Sequence, residues 1–400
     1  MQMKIDGVTV VAGGLIARDG QRQTQLVENT HDVIVRVPLA VRRPPSQPHN
    51  PDSNIRYIPA LMASSNKLIS LPNAVAQFTR DRMQYASGGA LPVGSDPIVF
   101  GREMLRQGRC GLHALFHCAT QQLNMLCAAG AVDRAECGFS GLEVYGFANG
   151  LRRAVESGAT QLEDWSNLSF PLRLLGGALG WPFVPATVNI GSDLQWRSGF
   201  APDQYPATGK IPTINDPFTG RPIGALPPLS PEFAVIHVTL ADTAGNAIML
   251  GTEWSRFELS RAARTVVLVA EHIVDQGCIR QFPNLVRIPD LVVSAVVHWP
   301  FAAWPQSSVG LYDSDEAHMR SMNAAFATEE GTQDYIERFV HGWNDLDGYL
   351  ALIGAPRIAE LSQTPTAFLL DPYRRWILPR DEVDALTAQG RPWSAPGAPS

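Results

Sequence analysis

Cysteine is scarce in this chain: five residues (Cys110, Cys118, Cys127, Cys137 and Cys278) among 400. So sparse and odd a set excludes a disulfide scaffold and points to a reducing compartment. A basic excess is missing as well. Lys plus Arg total 32 against 38 for Asp plus Glu, a formal net charge of −6, so gripping a polyanionic nucleic acid is not the main task. Long apolar runs are also lacking. The most apolar stretch, Leu291 to Trp304, contains His298 and Pro300 and falls short of the ~18 residues expected of a membrane span. No secretory leader is evident, since Asp6 follows Met1–Lys4 and only a short apolar run comes after it. The expectation is a soluble, cytoplasmic globular protein. What is plentiful agrees: 45% apolar residues against 18% charged favour a large core, and 34 glycines with 31 prolines imply many turns.

Residues 1–61 differ in character from the rest. Two strand-like runs, Val8–Ala12 and Val33–Leu39, precede a linker, Arg42–Asn54, that holds Pro44, Pro45, Pro48 and Pro51. This part carries a net charge of +2, the remainder −8. The shift in composition marks a boundary. The chain is therefore divided into an N-terminal extension with a Pro-rich linker (1–61), a main domain (62–392) and a loose tail (393–400).

From Leu71 onward strand and helix patterns alternate. Asp96 and Pro97 read as N-cap and first residue of a helix ending before Gly108, with Phe100, Met104 and Leu105 on one face. Phe147, Leu151, Ala154 and Val155 repeat at helical spacing before Gly158, and Ser166 or Asn167 caps a third helix running toward Gly176–Gly177. Strand candidates are Gly111–His117, Phe183–Asn189, Phe233–Leu240, Ala247–Leu250, Val266–Ala270 and Leu291–Val297, and the Asp242–Asn246 turn joins two of them. Alternation of this kind predicts an α/β sheet with helices on its faces.

Most familiar motifs fail. No Walker A sequence and no G-x-G-x-x-G follows a predicted strand. Gly138-Phe139-Ser140-Gly141 lacks the second glycine of a nucleophile elbow, because Leu142 occupies that place. Cys110, His113, His117 and Cys118 cluster, but a strand puts the histidines on one face and the cysteines on the other, and the spacing fits no common zinc pattern. The reading there is structural, with no metal. Met83 to Pro97 is more informative: a short strand, a glycine-rich loop, then a helix. Gly88 and Gly89 let backbone N–H groups approach an anion or the oxyanion of a polarised thioester.

The stretch from about Leu71 to Pro356 resembles the α-type subunit of family I coenzyme A transferases, most closely the glutaconate CoA-transferase α-chain type. Gly88-Gly89 with Gly94 and Pro97 is similar to the family's G-G-F-x-x-x-G-x-P signature. Leu174 to Ile190, followed by Gly191-Ser192, resembles its L-P-F-x-P strand and G-S loop. Phe233–Val238 with Asp242, Gly245 and Asn246 resembles the D-x-x-G-N hairpin, and Ala262-Ala263-Arg264 leading to Glu271-His272-Ile273 the A-A-x…E-E-I segment. Pro300–Pro305 with Gly310–Asp313 resembles P-Y-G-A-H-P…G-x-Y-D, and Trp343–Leu346 onward to Gly354-Ala355 the C-terminal helix. Four positions depart from the pattern: Ala90 replaces an aromatic, Pro97 comes one residue late, Trp181 stands where leucine would open the strand, and Trp304 stands where histidine is usual.

The resemblance implies an open, mostly parallel sheet with helices on both faces. It implies CoA transfer from an acyl-CoA to a carboxylic acid through a glutamyl-CoA thioester, with coenzyme A as substrate and no permanently bound cofactor. A covalent nucleophile splits one hard exchange into easier steps. The family's glutamate lies in an S-E-N-G motif of the β-type half. This chain has none, Val27-Glu28-Asn29-Thr30 being the nearest approach, so no catalytic residue is assigned here and a β-type partner is expected to carry it. The implied contributions of this chain are an oxyanion or thioester loop at Gly88, Gly89 and Gly94, and substrate-binding loops at Ser140, Gly141, Glu143 and Tyr145 and at Gly191 and Ser192. Neither nucleic acid nor membrane is expected as a partner. Some relatives instead hydrolyse cyclic CoA thioesters or open carbon rings with a carboxylate that aligns near Asn167, with Glu163 and Asp164 just upstream. That reading is one alternative, and a non-catalytic subunit that binds acyl-CoA is the other. Met62 to Lys67 reads as a natural start, making residues 1–61 an appended segment or the product of an upstream start codon. The later start predicts that mass spectra of the natively expressed protein contain no peptide spanning Gln25–Arg36; finding one rules it out.

Overall fold

The computed structural model describes residues 3–5, 8–11, 14–16, 66–89, 95–200 and 209–392. The run Val33–Leu39, the Pro-rich linker, Glu28, Gly94 and the tail lie outside these. Two compact units divide the chain, Met1–Leu61 and Met62–Ser400. In the first, β1 (Met3–Ile5), β2 (Val8–Val11) and β3 (Gly14–Ile16) form an antiparallel sheet in that order.

The second unit is built on a nine-stranded sheet. Its first strands are β4 (Gln84–Gly88), β5 (Leu112–Phe116), β6 (Val132–Cys137) and β7 (Gln161–Asp164). A separate small antiparallel sheet follows, with β10 (Pro222–Leu226) between β8 (Val184–Ala186) and β9 (Thr213–Asn215). The main sheet then resumes with β11 (Phe233–Ala241), β12 (Ala247–Ile248), β13 (Thr265–Ile273), β14 (Val286–Ile288) and β15 (Ala295–His298). Seven strands run parallel in the order β15-β13-β11-β4-β5-β6-β7. The sheet is open and mostly parallel, as expected.

Burial explains the strand sequences. Every residue of β11 (FAVIHVTLA) is buried, which is why it reads as one apolar run rather than an alternation. Phe233 and Val235 face a core shared with α1 (Leu71–Phe78), α2 (Ile98–Arg106), α3 (Gln121–Ala128) and α4 (Asn149–Glu156). Ala234, Ile236 and Val238 face the other core, with α5 (Ser169–Ala178) and, beyond the short α6 (Asp193–Trp196), α7 (Arg256–Ala262). Helices therefore cover both faces. None of the described helices is long and apolar enough to cross a membrane.

Several expectations need correction. Strands β6 and β7 went unanticipated because VDRAEC and QLED carry charge. Glu136 is buried all the same, in an ion pair 2.6 Å from Arg173. Leu291–Val297 begins instead with a 3₁₀ turn, Asp290–Val292, and the strand is Ala295–His298. Phe183–Asn189 shortens to β8 and Ala247–Leu250 to β12. Asp96 does not cap a helix: Pro97 is the N-cap of α2, and the Asp96 carboxylate is engaged elsewhere. The Asp242–Asn246 turn is present, with Asp242 Oδ1 accepting the N–H groups of Gly245 and Asn246 at 2.8 Å each.

The chain passes from β4 to β7 on one side, then returns beyond β4 to β11, β13 and β15. The order thus reverses between β4 and β11. There β4 stops at Gly88, opposite Ile236, whereas β11 continues to Ala241 and takes up β12. That step leaves a crevice at the carboxyl ends of the strands. On the opposite flank α3 and α4 cross at Gly150, where a Cβ would lie 2.3 Å from the Asn124 carbonyl oxygen and 2.6 Å from Ala128 Cβ. Gly150→Ala is expected to lower the unfolding free energy by about 1–3 kcal/mol, read from the urea midpoint at unchanged m.

Candidate functional site at the carboxyl ends of the strands

Open α/β sheets bind ligands at the carboxyl ends of their strands, where strand order reverses. Here that place is the end of β4. Gly88 lies so close to α7 that a Cβ would meet Arg256 Cγ at 2.8 Å. Any other residue would push the arginine aside. Gly89 follows, buried, and the chain re-enters at Ser95 and Asp96. Gly88 and Gly89, with His117, Phe170, Leu174 and Ser255, line a narrow cavity of about 10 Å³, room for roughly one water molecule.

Arg256 holds both ends of the glycine loop. Its stem packs on Gly88, while Nη1 donates to Ser95 Oγ at 2.9 Å and to the His237 carbonyl at 3.1 Å. Nε donates to the Glu253 carbonyl at 3.1 Å, and Nη2 to that of Thr252. Beside it Asp96 is fully buried. Its carboxylate accepts from Ser87 Oγ, from Thr120 Oγ1 at 2.5 Å and from Gln122 Nε2 at 3.3 Å, and its N–H donates to Gln306 Oε1 at 3.2 Å. Burial raises the Asp96 pKa to about 6 against the pull of the Ser87 and Thr120 hydroxyls and of Arg256.

His117 sits just past β5. Its Nε2 lies 3.1 Å from the Asn167 carbonyl and its Nδ1 2.7 Å from Ser255 Oγ. A carbonyl can only accept, so Nε2 carries the proton. Burial pushes the imidazole pKa down, the ring is neutral, and Nδ1 accepts from the Ser255 hydroxyl. Phe170 stacks on one side of the ring at 6.0 Å, and Trp254 meets it edge-on at 5.9 Å.

The other cluster residues do not converge on it. Cys110 is exposed. His113 pairs with Glu136 Oε1 at 3.0 Å, and the Cys118 thiol, pushed up to about 12 by burial and the Glu143 charge, faces Asn167 Oδ1 at 3.5 Å. Among the described residues no group of three His, Cys, Asp or Glu is placed to hold a metal.

The loop after β6 carries Ser140, Gly141, Glu143 and Tyr145. Ser140 and Glu143 are exposed, and Glu143 (φ +50°) opens a 3₁₀ turn. Gly141 bridges to Phe147. The Tyr145 ring lies 5.0 Å from the Arg320 guanidinium, and its carbonyl accepts from Asn323 Nδ2 at 3.1 Å. Gly191 donates to Gln195 Oε1 at 2.8 Å, and Ser192 Oγ donates to the Asn189 carbonyl at 2.7 Å, a local backbone cap. Asn189 in turn reaches Ser169 Oγ, 3.0 Å away at the start of α5. Neither loop lines the cavity. Glu163 is no free carboxylate: it pairs with Lys210 and accepts the Gly199 N–H at 2.9 Å. Asn167 contributes its backbone carbonyl to His117.

Sequence reasoning found Gly88 and Gly89 and noticed His117 only as part of the Cys/His cluster. It missed Ser255 and Arg256, which carry no motif and reach the site only through the fold.

The coenzyme A transferase family model matches residues 68–298. An uncharacterised protein of Archaeoglobus fulgidus is 36% identical over 299 residues, covering 74% of this chain and 64% of its own length; the match thus spans just under two thirds of that relative. One subunit of the glutaconate CoA-transferase of Acidaminococcus fermentans is 28% identical over 307 residues, 75% of this chain and 96% of its own. The crystal structure of glutaconate coenzyme A-transferase from that organism aligns with a TM-score of 0.71 at 26% identity, over 79% of this chain and 99% of that one.

Asp96 generates a pH prediction. Its folded pKa of about 6 lies above the unfolded value, so between pH ~4 and ~6 the folded state holds the extra proton. Stability therefore falls as pH rises through that window, by about 2–3 kcal/mol in total. Asp96→Asn retains an oxygen acceptor for Ser87 and Gln122 and is expected to flatten this fall, measured as urea unfolding free energies at pH 4 and pH 7. An equally steep fall in the variant would refute the assignment.

Proposed function

The chain belongs to the coenzyme A transferase family, and we propose that it is the α-type subunit of a heteromeric CoA transferase. The supporting observation is the glycine pair at the end of β4, pinned at the reversal of strand order by Arg256. Backbone N–H groups beside that narrow cavity suit the oxyanion of a thioester under attack. In this reading Gly88, Gly89 and Gly94 receive the thioester. The loops at Ser140, Gly141, Glu143 and Tyr145 and at Gly191 and Ser192 flank substrate or partner.

The nucleophile is a glutamate of a β-type partner. Its carboxylate attacks the acyl-CoA carbonyl and expels CoA thiolate, leaving a mixed anhydride. The thiolate then attacks the glutamyl carbonyl, releasing the first acid and forming a glutamyl-CoA thioester. A second carboxylic acid reverses these steps and leaves as the new acyl-CoA. Coenzyme A is thus a substrate, with no permanently bound cofactor, and the reaction belongs to the cytoplasm. An apolar rim supports the partner: Val144 is 73% and Phe147 72% exposed on the loop after β6, surface of the kind that a second subunit covers.

The test is reconstitution of this chain with the chain encoded beside it. Transfer of CoA from an acyl-CoA to a free acid is expected from the pair only, with a thioester trapped on the partner's glutamate and seen by mass spectrometry. Equal transfer by this chain alone would overturn the assignment, and release of free CoA with no acceptor acid present would favour a hydrolase.

A further inference from the structure

A second and larger cavity, of about 450 Å³, opens between the main sheet and the small antiparallel sheet. Its floor is polar: His113 of β5, Glu136 of β6 and Arg173 of α5 line it, with Lys210 beside them. Every charge there is already matched. Glu136 Oε2 lies 2.6 Å from Arg173 Nη1 and accepts the Trp165 indole N–H at 2.8 Å, while Oε1 lies 3.0 Å from His113 Nε2. Lys210 pairs with Glu163 and donates to the Asp164 carbonyl. Two hydrogen-bonding positions are left over. Arg173 Nε donates to the Pro227 carbonyl at 3.0 Å, but among the described residues nothing accepts from its Nη2. A carboxylate can only accept, so His113 Nε2 carries the proton, and the neutral ring keeps an unused lone pair at Nδ1.

The remaining wall is apolar. Phe200 is buried and meets the His113 ring edge-on at 5.5 Å, and Phe183 is partly exposed. Pro212, Ile214, Ala225 and Pro227 come from the small sheet and its flanks. The volume is that of a small-molecule pocket, and aromatic rings pack well on a planar ligand. The place is separate from the glycine loop. His113 and His117 stand four residues apart along β5 and its end, about 13 Å at the rise of a strand.

We infer that this cavity binds a flat, uncharged molecule with an amide-like edge, whose carbonyl accepts from Arg173 Nη2 and whose N–H donates to His113 Nδ1. An anion would lie beside Glu136 and an ammonium beside Arg173, and each would find its counter-charge already paired. Burying an unmatched charge is strongly unfavourable. A purely apolar molecule would leave both positions of the floor unmet. A carboxamide brings one acceptor and one donor and no net charge, which is what the floor still lacks. The ligand is a second molecule and not the reacting thioester, so the inference stands apart from the transferase reading. Helix α5 borders both places, with Phe170 and Leu174 on the narrow cavity and Arg173 on this one.

The test is equilibrium binding of three probes of one shape to the full chain: 2-naphthamide, 2-naphthoate and 2-naphthylmethylammonium, followed by naphthalene fluorescence at pH 8. The amide is expected to bind at least about tenfold more tightly than either charged probe. Ala225→Leu and Ile214→Trp narrow the cavity from two different strands without touching its floor, and each should weaken the amide by about tenfold or more. His113→Phe removes the acceptor and should weaken the amide several-fold while leaving the charged probes unchanged. Circular dichroism identifies the variants that fold, and either cavity-filling variant suffices. Equal or tighter binding of a charged probe, undiminished amide binding in a folded cavity-filling variant, or no amide binding up to its solubility limit would each overturn the inference.

Discussion

The glycine loop depends on one buried arginine. Arg256 fills with its stem the space that a side chain at position 88 would need, and its guanidinium grips Ser95 on the far side of the loop. Gly88 and Ser95, which flank residues 90–94, are thus both held against α7. Asp96 completes the clamp by tying the backbone just before α2 to Ser87, Thr120 and Gln122.

That clamp places a carboxylic acid and a guanidinium together in the interior, and burial disfavours both charges. It raises Asp96 to about 6 and lowers Arg256 to about 10. Their attraction and the surrounding donors offset this in part. The sheet handles charge differently toward β6 and β7. Burial would raise Glu136, but Arg173 and His113 outweigh it and bring the group down to about 2. Trp165 lies against two cations there, the Arg173 guanidinium at 3.8 Å and the Lys210 ammonium at 4.5 Å. Glu136 and Glu163 therefore serve as structural posts for α5 and for the segment leading into β9. They are not free carboxylates awaiting a substrate, which weakens the case for chemistry initiated by Glu163.

How much of this was legible follows from what each residue reports. The unbroken apolar runs of β11 and β13 announce a parallel sheet covered on both faces, and Asp242 with Gly245 and Asn246 announces the turn between β11 and β12. Gly88 and Gly89 announce close backbone approach, because the sequence signal and the physical need are the same. Strands β6 and β7 escape because their buried charges look like surface until Arg173 and Lys210 are known to meet them. Asp96 misleads for the same reason: the residue type that caps helices is here drawn into a network closed by Gln122 and Thr120. Ser255 and His117 lie 138 positions apart, and no local pattern connects them.

Proximity of that kind is produced by topology. Because β4 and β11 are neighbours while the chain between them builds β5 to β7 and the small sheet, the loops after β5, β7 and β12 all arrive at the gap beyond Gly88. The loop after β5 brings His117, the loop after β7 brings Asn167, and the segment after β12 brings Ser255. Each residue satisfies another: Asn167 fixes the tautomer of His117, His117 takes the proton of Ser255, and Ser255 is left with lone pairs alone. The hydrogen-bonding sense of the cavity is therefore set from beyond its lining, by a backbone carbonyl. A change at Asn167 that moved this carbonyl would free the imidazole to present its other tautomer, and the Ser255 hydroxyl would turn from acceptor to donor. The hydrogen-bonding character of such a cavity can shift without substitution of any side chain that lines it.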